Sequence, residues 1–552
     1  FNTFYQIYPR SFADANGDGI GDIQGIISKL DYLHWLGIKG IWLSPHYPSP
    51  QVDVGYDIAD YTAVEPDYGT MDDFQQMLDE IHKRDMKLIL DLVLNHTSDK
   101  HQWFQESKSS RDNPKRDWYV WHDGVDGAPP NNWESQFGGS AWTYDETTDQ
   151  YYYHYFLKEQ PDLNWRNPEV KQAMFDATRF WLDMGVDGFR LDAIGTIYED
   201  PTLTPHTSTF NAIDSLRIFW IHDEEKPEAS WAELVGDLFK YQSDLPEIFD
   251  LIRDFRSIIN EYEDRFLVGE SSDVRYLGDG TSHLQSIFNF DLTFQPTLTA
   301  SLVRDTHEDW RKKIPAGTWV SNTLNNHDQS RVATHFASHD SRMTHIAVAI
   351  PLFLEGIPFL YYGEEIGMED YAIRSLDELR DMAGAVYRQV RLLDEVSEAQ
   401  ILKELGKFSR DRCRTPMQWN NTANAGFSPE NVTTWLPVHE NHTQGINVAS
   451  QENDEQSLLH LYRDLIHLRN QHIALQVGTF RDIDPDNGSA LIFLREADEQ
   501  TCLVALSFSP ESQDLSYDLS GTVLYSTAER VSTFDGTELT LAPFEVLVVE
   551  LS

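Results

Sequence analysis

"GVDGFRLDAI", residues 185–194, is a short apolar run carrying one arginine and one aspartate, Arg190 and Asp192, with only Leu191 between them. Successive side chains of an extended strand alternate between faces, so Arg190 and Asp192 share one face and Leu191 takes the other. Strand interiors rarely hold opposite charges at neighbouring inward positions, so this pair needs a functional or structural reason. Seven further strand-like runs accompany it: 3–9, 38–45, 87–96, 266–271, 286–292, 319–328 and 357–365. Amphipathic helical patterns lie between them, among them 23–37, 71–85 and 167–185. Apolar strands alternating with helices predict an α/β fold, a (β/α)8 TIM barrel.

The barrel is interrupted. Residues 97–166, rich in Trp, Tyr, Asp and Pro and without helical period, read as an inserted domain after strand three. A second insertion, about 366–453, follows strand eight, and a helix at 455–471 closes the barrel. Beyond about 479 short alternating strands take over ("ALIFLRE", "TCLVALSFS", "FEVLVVEL"). The expected division is a catalytic barrel at 1–96 and 167–478, the insert at 97–166, and a C-terminal all-β sandwich domain at 479–552.

Composition narrows the partners. The chain has 90 Asp+Glu against 43 Lys+Arg, a net charge of −47, which argues against nucleic acid and anionic membrane surfaces. The acids are spread along the chain, a pattern that fits a solvated surface and adaptation to high salt. Aromatic residues are plentiful (15 Trp, 24 Tyr, 29 Phe), as cores and sugar-binding surfaces both require. Two cysteines, Cys413 and Cys502, rule out a disulfide framework and suit a reducing, cytoplasmic setting. A leader preceding Phe1 would make it periplasmic or secreted. A monomer or homodimer is expected.

Polar residues interrupt the strands at their C-terminal ends, the face on which such barrels build their sites. Strand three ends in Asn95 and His96, strand four carries Arg190 and Asp192, strand five ends in Glu270, and strand seven in His327 and Asp328. Two opposed carboxylates can cleave a glycosidic bond, one attacking the anomeric carbon while the other protonates the leaving oxygen. The nucleophile must stay ionised, and the Arg190 guanidinium is expected to lower the pKa of Asp192. The acid must stay protonated, and Glu270, between Gly269 and Ser271, is expected in a less cationic setting. Three carboxylates could also hold a divalent metal, but the histidines lack H-x-x-x-H spacing.

The order "DLVLNH", "GFRLDA", "VGES", "NNHD" resembles the four signature regions of the α-amylase family, glycoside hydrolase family 13. "QPDLN" (160–164), "GIPFLYYGEEIGM" (356–368) and "RTPMQW" (414–419) resemble its oligo-1,6-glucosidase and α-glucosidase branch. The resemblance implies Asp192 as nucleophile, Glu270 as acid/base and Asp328 as transition-state stabiliser. It places Arg190, His96 and His327 around the terminal glucose, and retention of anomeric configuration follows from double displacement. By the same resemblance Asp53 and Tyr56 bind the outer hydroxyls and face of that glucose, and Arg410 and Arg414 close the far end. Phe156 and Gln160 match pocket-wall positions, with core an equal reading for Phe156. The implied enzyme is an exo-acting α-glucosidase of small oligosaccharides. A sucrose isomerase or trehalose synthase would reuse the same residues; a non-catalytic transporter-associated barrel would have lost them and carried a membrane anchor. The resemblance also bears on linkage: in that branch the residue after the nucleophile, here Ala193, is valine with α-1,6 cleavage and a smaller residue or threonine with α-1,4, so maltose-like substrates are expected, with sucrose or α-1,6 links as alternatives.

"DANGDGIGD" (14–22) sets Asp14, Asn16, Asp18 and Asp22 at positions one, three, five and nine of a calcium-loop pattern, with the Ile20 carbonyl at seven. Position twelve is Gly25, so the closing glutamate of an EF-hand is missing. The oxygen set suits Ca2+ or Mg2+ in a structural role, against the alternative of an Asx-rich turn.

Overall fold

The computed structural model describes residues 3–217, 231–337 and 340–552. Eight parallel strands close into a barrel: β1 (Phe4–Ile7), β2 (Gly40–Leu43), β3 (Lys87–Val93), β4 (Gly188–Asp192), β5 (Phe266–Gly269), β6 (Ser286–Asn289), β7 (Trp319–Asn322) and β8 (Ile357–Tyr361). Their order around the barrel is their order in sequence, and β8 pairs with β1 to shut the ring. Helices cover the outside, so both faces of each strand are dry and the runs read apolar throughout.

The register sets the chemistry. Asp91 of β3 lies opposite Arg190 of β4, and Val93 opposite Asp192. All the strands are shorter than expected. The polar residues after β3, β5 and β7, among them His96, Glu270 and Asp328, leave the ladder and turn over the barrel mouth, while Arg190 and Asp192 stay in β4; this is why the pattern overran.

Capping explains where helices begin. Thr70 and Asp73 form a reciprocal capping box on Met71–Lys83. Asn167 caps Pro168–Met184, which stops at Gly185 in the left-handed region (φ 105°). The single helix expected at 23–37 is two, Ile23–Ser28 and Leu30–Leu36. At Lys29 the backbone tightens, its N–H shared by the carbonyls of Ile26 and Ile27, and its ammonium sits over Trp419 at 4.2 Å.

Between β3 and β4 lies a three-stranded antiparallel sheet built from Trp121–His122, Trp142–Asp145 and Gln150–Tyr153. The segment 97–166 also holds a helix, Gln102–Ser109, where no helical period was expected. It buries only Phe104 and Ser107, too narrow a stripe to register as periodicity. After β8, helices Met382–Leu393 and Glu398–Phe408 form a hairpin, and the C-terminal region builds a six-stranded antiparallel sheet. No described helix is long and apolar enough to cross a membrane.

Candidate active site

Above the C-terminal ends of the strands lies a cavity of about 400 Å³. It is lined by Asp53, Tyr56, His96, Phe137, Phe156, Asp192, Ala193, Glu270, His327, Asp328 and Arg410. Of the residues assigned to catalysis or to the sugar from the sequence, Gln160, Arg190 and Arg414 do not line the cavity; each stands one layer behind it, fully or almost fully buried.

Arg190 is the hub. Its Nη1 donates to Asp91 Oδ1 at 2.8 Å and to Asp192 Oδ1, and its Nη2 faces Glu270 Oε1 at 3.0 Å. One guanidinium therefore serves three carboxylates. The expected separation of environments does not hold: Glu270 also pairs with the cation that holds Asp192. Arg190 does pull Asp192 down, as expected, but it does not win. Burial, with Asp91 and Asp328 nearby, pushes Asp192 up to about 7 against the pull of Arg190. Burial likewise pushes Glu270 up to about 7, with Asp192 and Asp328 adding to it and Arg190 and the Ala193 N–H opposing. Groups this close influence one another's titration, so the two carboxylates titrate as a coupled pair.

Asp91 escaped the sequence reading, although a charge inside "KLILDLVLNH" was the available signal. It is fully buried and accepts hydrogen bonds from Trp42 Nε1 (3.2 Å) and the Tyr56 hydroxyl (3.0 Å) as well as Arg190. Gln6 of β1 was missed too. Its amide donates to His327 Nδ1 at 2.7 Å, which leaves the ring proton on Nε2. That nitrogen faces the Tyr56 hydroxyl at 2.7 Å and Asp328 Oδ2 at 3.2 Å. Burial holds His327 well below the usual histidine range, so it works as a neutral donor. Tyr56 stacks on the same ring at 5.2 Å.

Asp328 has the opposite environment. Arg414 Nη2 donates to its Oδ1 at 2.7 Å, and Arg410 Nη1 stands 3.5 Å away. Burial would raise its pKa, but His327, Arg414 and Arg410 together hold it below the ordinary carboxylate range. At the closed end Arg410 Nη2 donates to Asp53 Oδ1 at 2.7 Å, and Gln160 Nε2 donates to Asp53 Oδ2 at 3.1 Å. The turn that carries Asp53 and Tyr56 is strained, with Val54 at φ 47° and Gly55 at φ 104°. Asp57 stabilises it by accepting the Val52 and Asp53 N–H groups. His96 meets Gln160 at 3.0 Å and the Tyr56 carbonyl at 3.1 Å, and burial pulls it down to about 4. The Phe156 ring lies against His96 at 5.3 Å and against Phe137, a cavity residue with no sequence signal of its own.

Ala193 adopts φ 42°, ψ 43°, a conformation uncommon for a side-chain-bearing residue. This turn aims its N–H at Glu270 Oε2, 2.9 Å away. In the loop 14–22, Asp14 accepts the N–H groups of Gly17 and Gly19, Asp18 that of Ile20, and Asp22 those of Ala15, Asn16 and Gly25. Asn16 Oδ1 accepts the Asp18 N–H. Among the described residues no three His, Cys, Asp or Glu side chains gather as a metal-ligand group.

Opposed carboxylates gathered around one cation at the mouth of a parallel barrel can cleave a glycosidic bond. The α-amylase catalytic-domain model matches residues 6–478. The chain is 38% identical to an oligo-1,6-glucosidase of Parageobacillus thermoglucosidasius, covering 99% of this chain and 98% of that one. It is 35% identical to an α-glucosidase of Schizosaccharomyces pombe (94% and 91%). Among solved structures, an isomaltulose synthase from Erwinia rhapontici superposes with a TM-score of 0.87 at 35% identity, covering 100% of this chain and 98% of that one. The chain belongs to the α-amylase family and is a glycoside hydrolase.

Proposed function

We propose that the protein is a retaining, exo-acting α-glucosidase that releases glucose from the non-reducing end of short α-glucosides. The observation that carries this reading is the pairing of Asp192 and Glu270 on one guanidinium inside a pocket shut at one end by Asp53 and Arg410. Carboxylates bridged in this way suit the narrower spacing, about 5–5.5 Å, of retaining enzymes. Asp192 attacks the anomeric carbon, and Glu270 gives its proton to the departing oxygen. Glu270 then takes a proton from water, which attacks the same carbon and frees Asp192. Asp328, kept ionised, holds ring hydroxyls and favours the positively charged transition state. His96, His327 and Tyr56 surround the sugar, while Asp53 and Arg410 bind its outer hydroxyls and Phe156 walls the pocket. Arg414 acts through Asp328, and Gln160 through Asp53 and His96.

The small Ala193 side chain beside Asp192 leaves room for an α-1,4-linked neighbour, so maltose and maltotriose are the expected substrates. A panel of maltose, maltotriose, isomaltose, sucrose and trehalose, read by product analysis, tests both linkage and reaction. A clear preference for isomaltose refutes the α-1,4 reading. Conversion of sucrose to an isomer instead of free glucose and fructose supports the isomerase alternative, a reaction named for several structural relatives.

The 14–22 loop is the place for a structural Ca2+ or Mg2+. Asp14, Asn16, Asp18, Asp22 and the Ile20 carbonyl supply only hard oxygens at calcium-loop spacing, and the amide bonds they accept leave further lone pairs. Metal analysis of the purified protein and melting with and without chelator check this. A bound divalent ion and a midpoint lowered by several degrees are expected; metal-free protein that melts identically refutes it.

A further inference from the structure

We infer that Asp381 is the positioning residue that fixes Arg410 across the closed end of the pocket, an inference that rests on the exo-α-glucosidase reading. Arg410 follows the helix Glu398–Phe408, and Asp381 precedes the helix Met382–Leu393. The two residues therefore pin together the open ends of the helical hairpin. Asp381 Oδ1 accepts from Arg410 Nε at 3.1 Å and Nη2 at 2.7 Å, while Asp381 Oδ2 accepts the Arg410 backbone N–H at 2.8 Å. The clasp is reciprocal, because Asp411 Oδ2 accepts the Asp381 N–H at 2.9 Å. Asp381 is 1% exposed and does not line the cavity, so it cannot touch the sugar.

The geometry explains why Arg410 needs such an anchor. Its Nη2 is shared between Asp381 and Asp53, each at 2.7 Å, and its Nη1 stands 3.5 Å from Asp328. Long arginine side chains lose substantial rotamer freedom when ordered. With both Nε and the backbone N–H tied to Asp381, the guanidinium is already aimed at Asp53 before substrate arrives, which removes an ordering cost from binding. Without that anchor, Asp53 and Asp328 compete for a mobile cation and the end wall loosens.

A double-mutant cycle tests this, with kcat and KM for maltose and p-nitrophenyl α-glucoside measured on Asp381→Asn, Arg410→Ala and the double variant. Asparagine keeps the helix cap that Asp381 also provides through the Ala383 N–H. Asp381→Ser, which caps without charge, serves if the asparagine variant does not fold; melting curves establish folding. The expected result is a drop in kcat/KM of about tenfold for Asp381→Asn, mainly through KM, and less than twofold when Arg410 is already alanine. Equal losses in both backgrounds, or no loss in the native one, overturn the inference. Full activity of Arg410→Ala itself would instead defeat the assignment of Arg410 to the pocket end.

Discussion

The two halves of the pocket contain the same kinds of group in different proportions. Around Arg190, three carboxylates share one guanidinium, and Asp192 and Glu270 are both pushed up to about 7. Asp328 is reached by two guanidiniums, one of them shared with Asp53 and Asp381, and its pKa is held below the ordinary carboxylate range. Adjacency to an arginine therefore does not decide the charge of a buried carboxylate; the ratio of acids to cations around it does. The acid-rich half can hold and pass a proton, as an acid/base must. Asp328, reached by two guanidiniums, cannot, and suits a fixed negative charge opposite a developing positive one.

Changes on the proton-handling side should cost most. Asp192→Asn is expected to lower kcat by about 10⁴-fold or more, and Glu270→Gln by about 10²–10⁴-fold, measured on an activated glucoside. Asp328→Asn should cost about 10²–10³-fold, the range for loss of one preorganised electrostatic contact. Arg414→Ala leaves Asp328 with Arg410 as its remaining arginine; a loss of about 10–100-fold in kcat/KM is expected, with a lower melting temperature because a buried charge loses its partner.

The smallest effect is the most discriminating. Asp91 raises the pKa of Asp192, so Asp91→Asn should let Asp192 ionise at lower pH. Activity requires ionised Asp192, and the acid limb of the kcat/KM profile should therefore move down. An unmoved or upward-shifted acid limb would show that Asp91 does not act through charge.

The fold was almost entirely legible, because parallel strands buried on both faces announce themselves as apolar runs. Asp192, Glu270 and Asp328 were legible as charges breaking such runs at one end. Asp91 breaks one in the same way but sits deeper, and was passed over. Gln6, Asp57, Phe137 and Asp381 carry no such mark: Gln6 looks like an ordinary polar residue near a terminus, and the others lie in segments where polar or aromatic residues are unremarkable. Their roles depend on contacts such as Asp381 with Arg410, 29 residues on in the chain. The sharing of Arg190 was illegible for a different reason. Register between β3, β4 and β5 decides which carboxylates reach it, and register is a property of the closed barrel.

The most direct measurement is to trap the intermediate. A fluorinated α-glucosyl donor that slows the second displacement, followed by proteolysis and mass spectrometry, should place a covalent glucosyl group on Asp192. A label on another residue, or none together with a β-glucose first product, would contradict a retaining mechanism centred on Asp192.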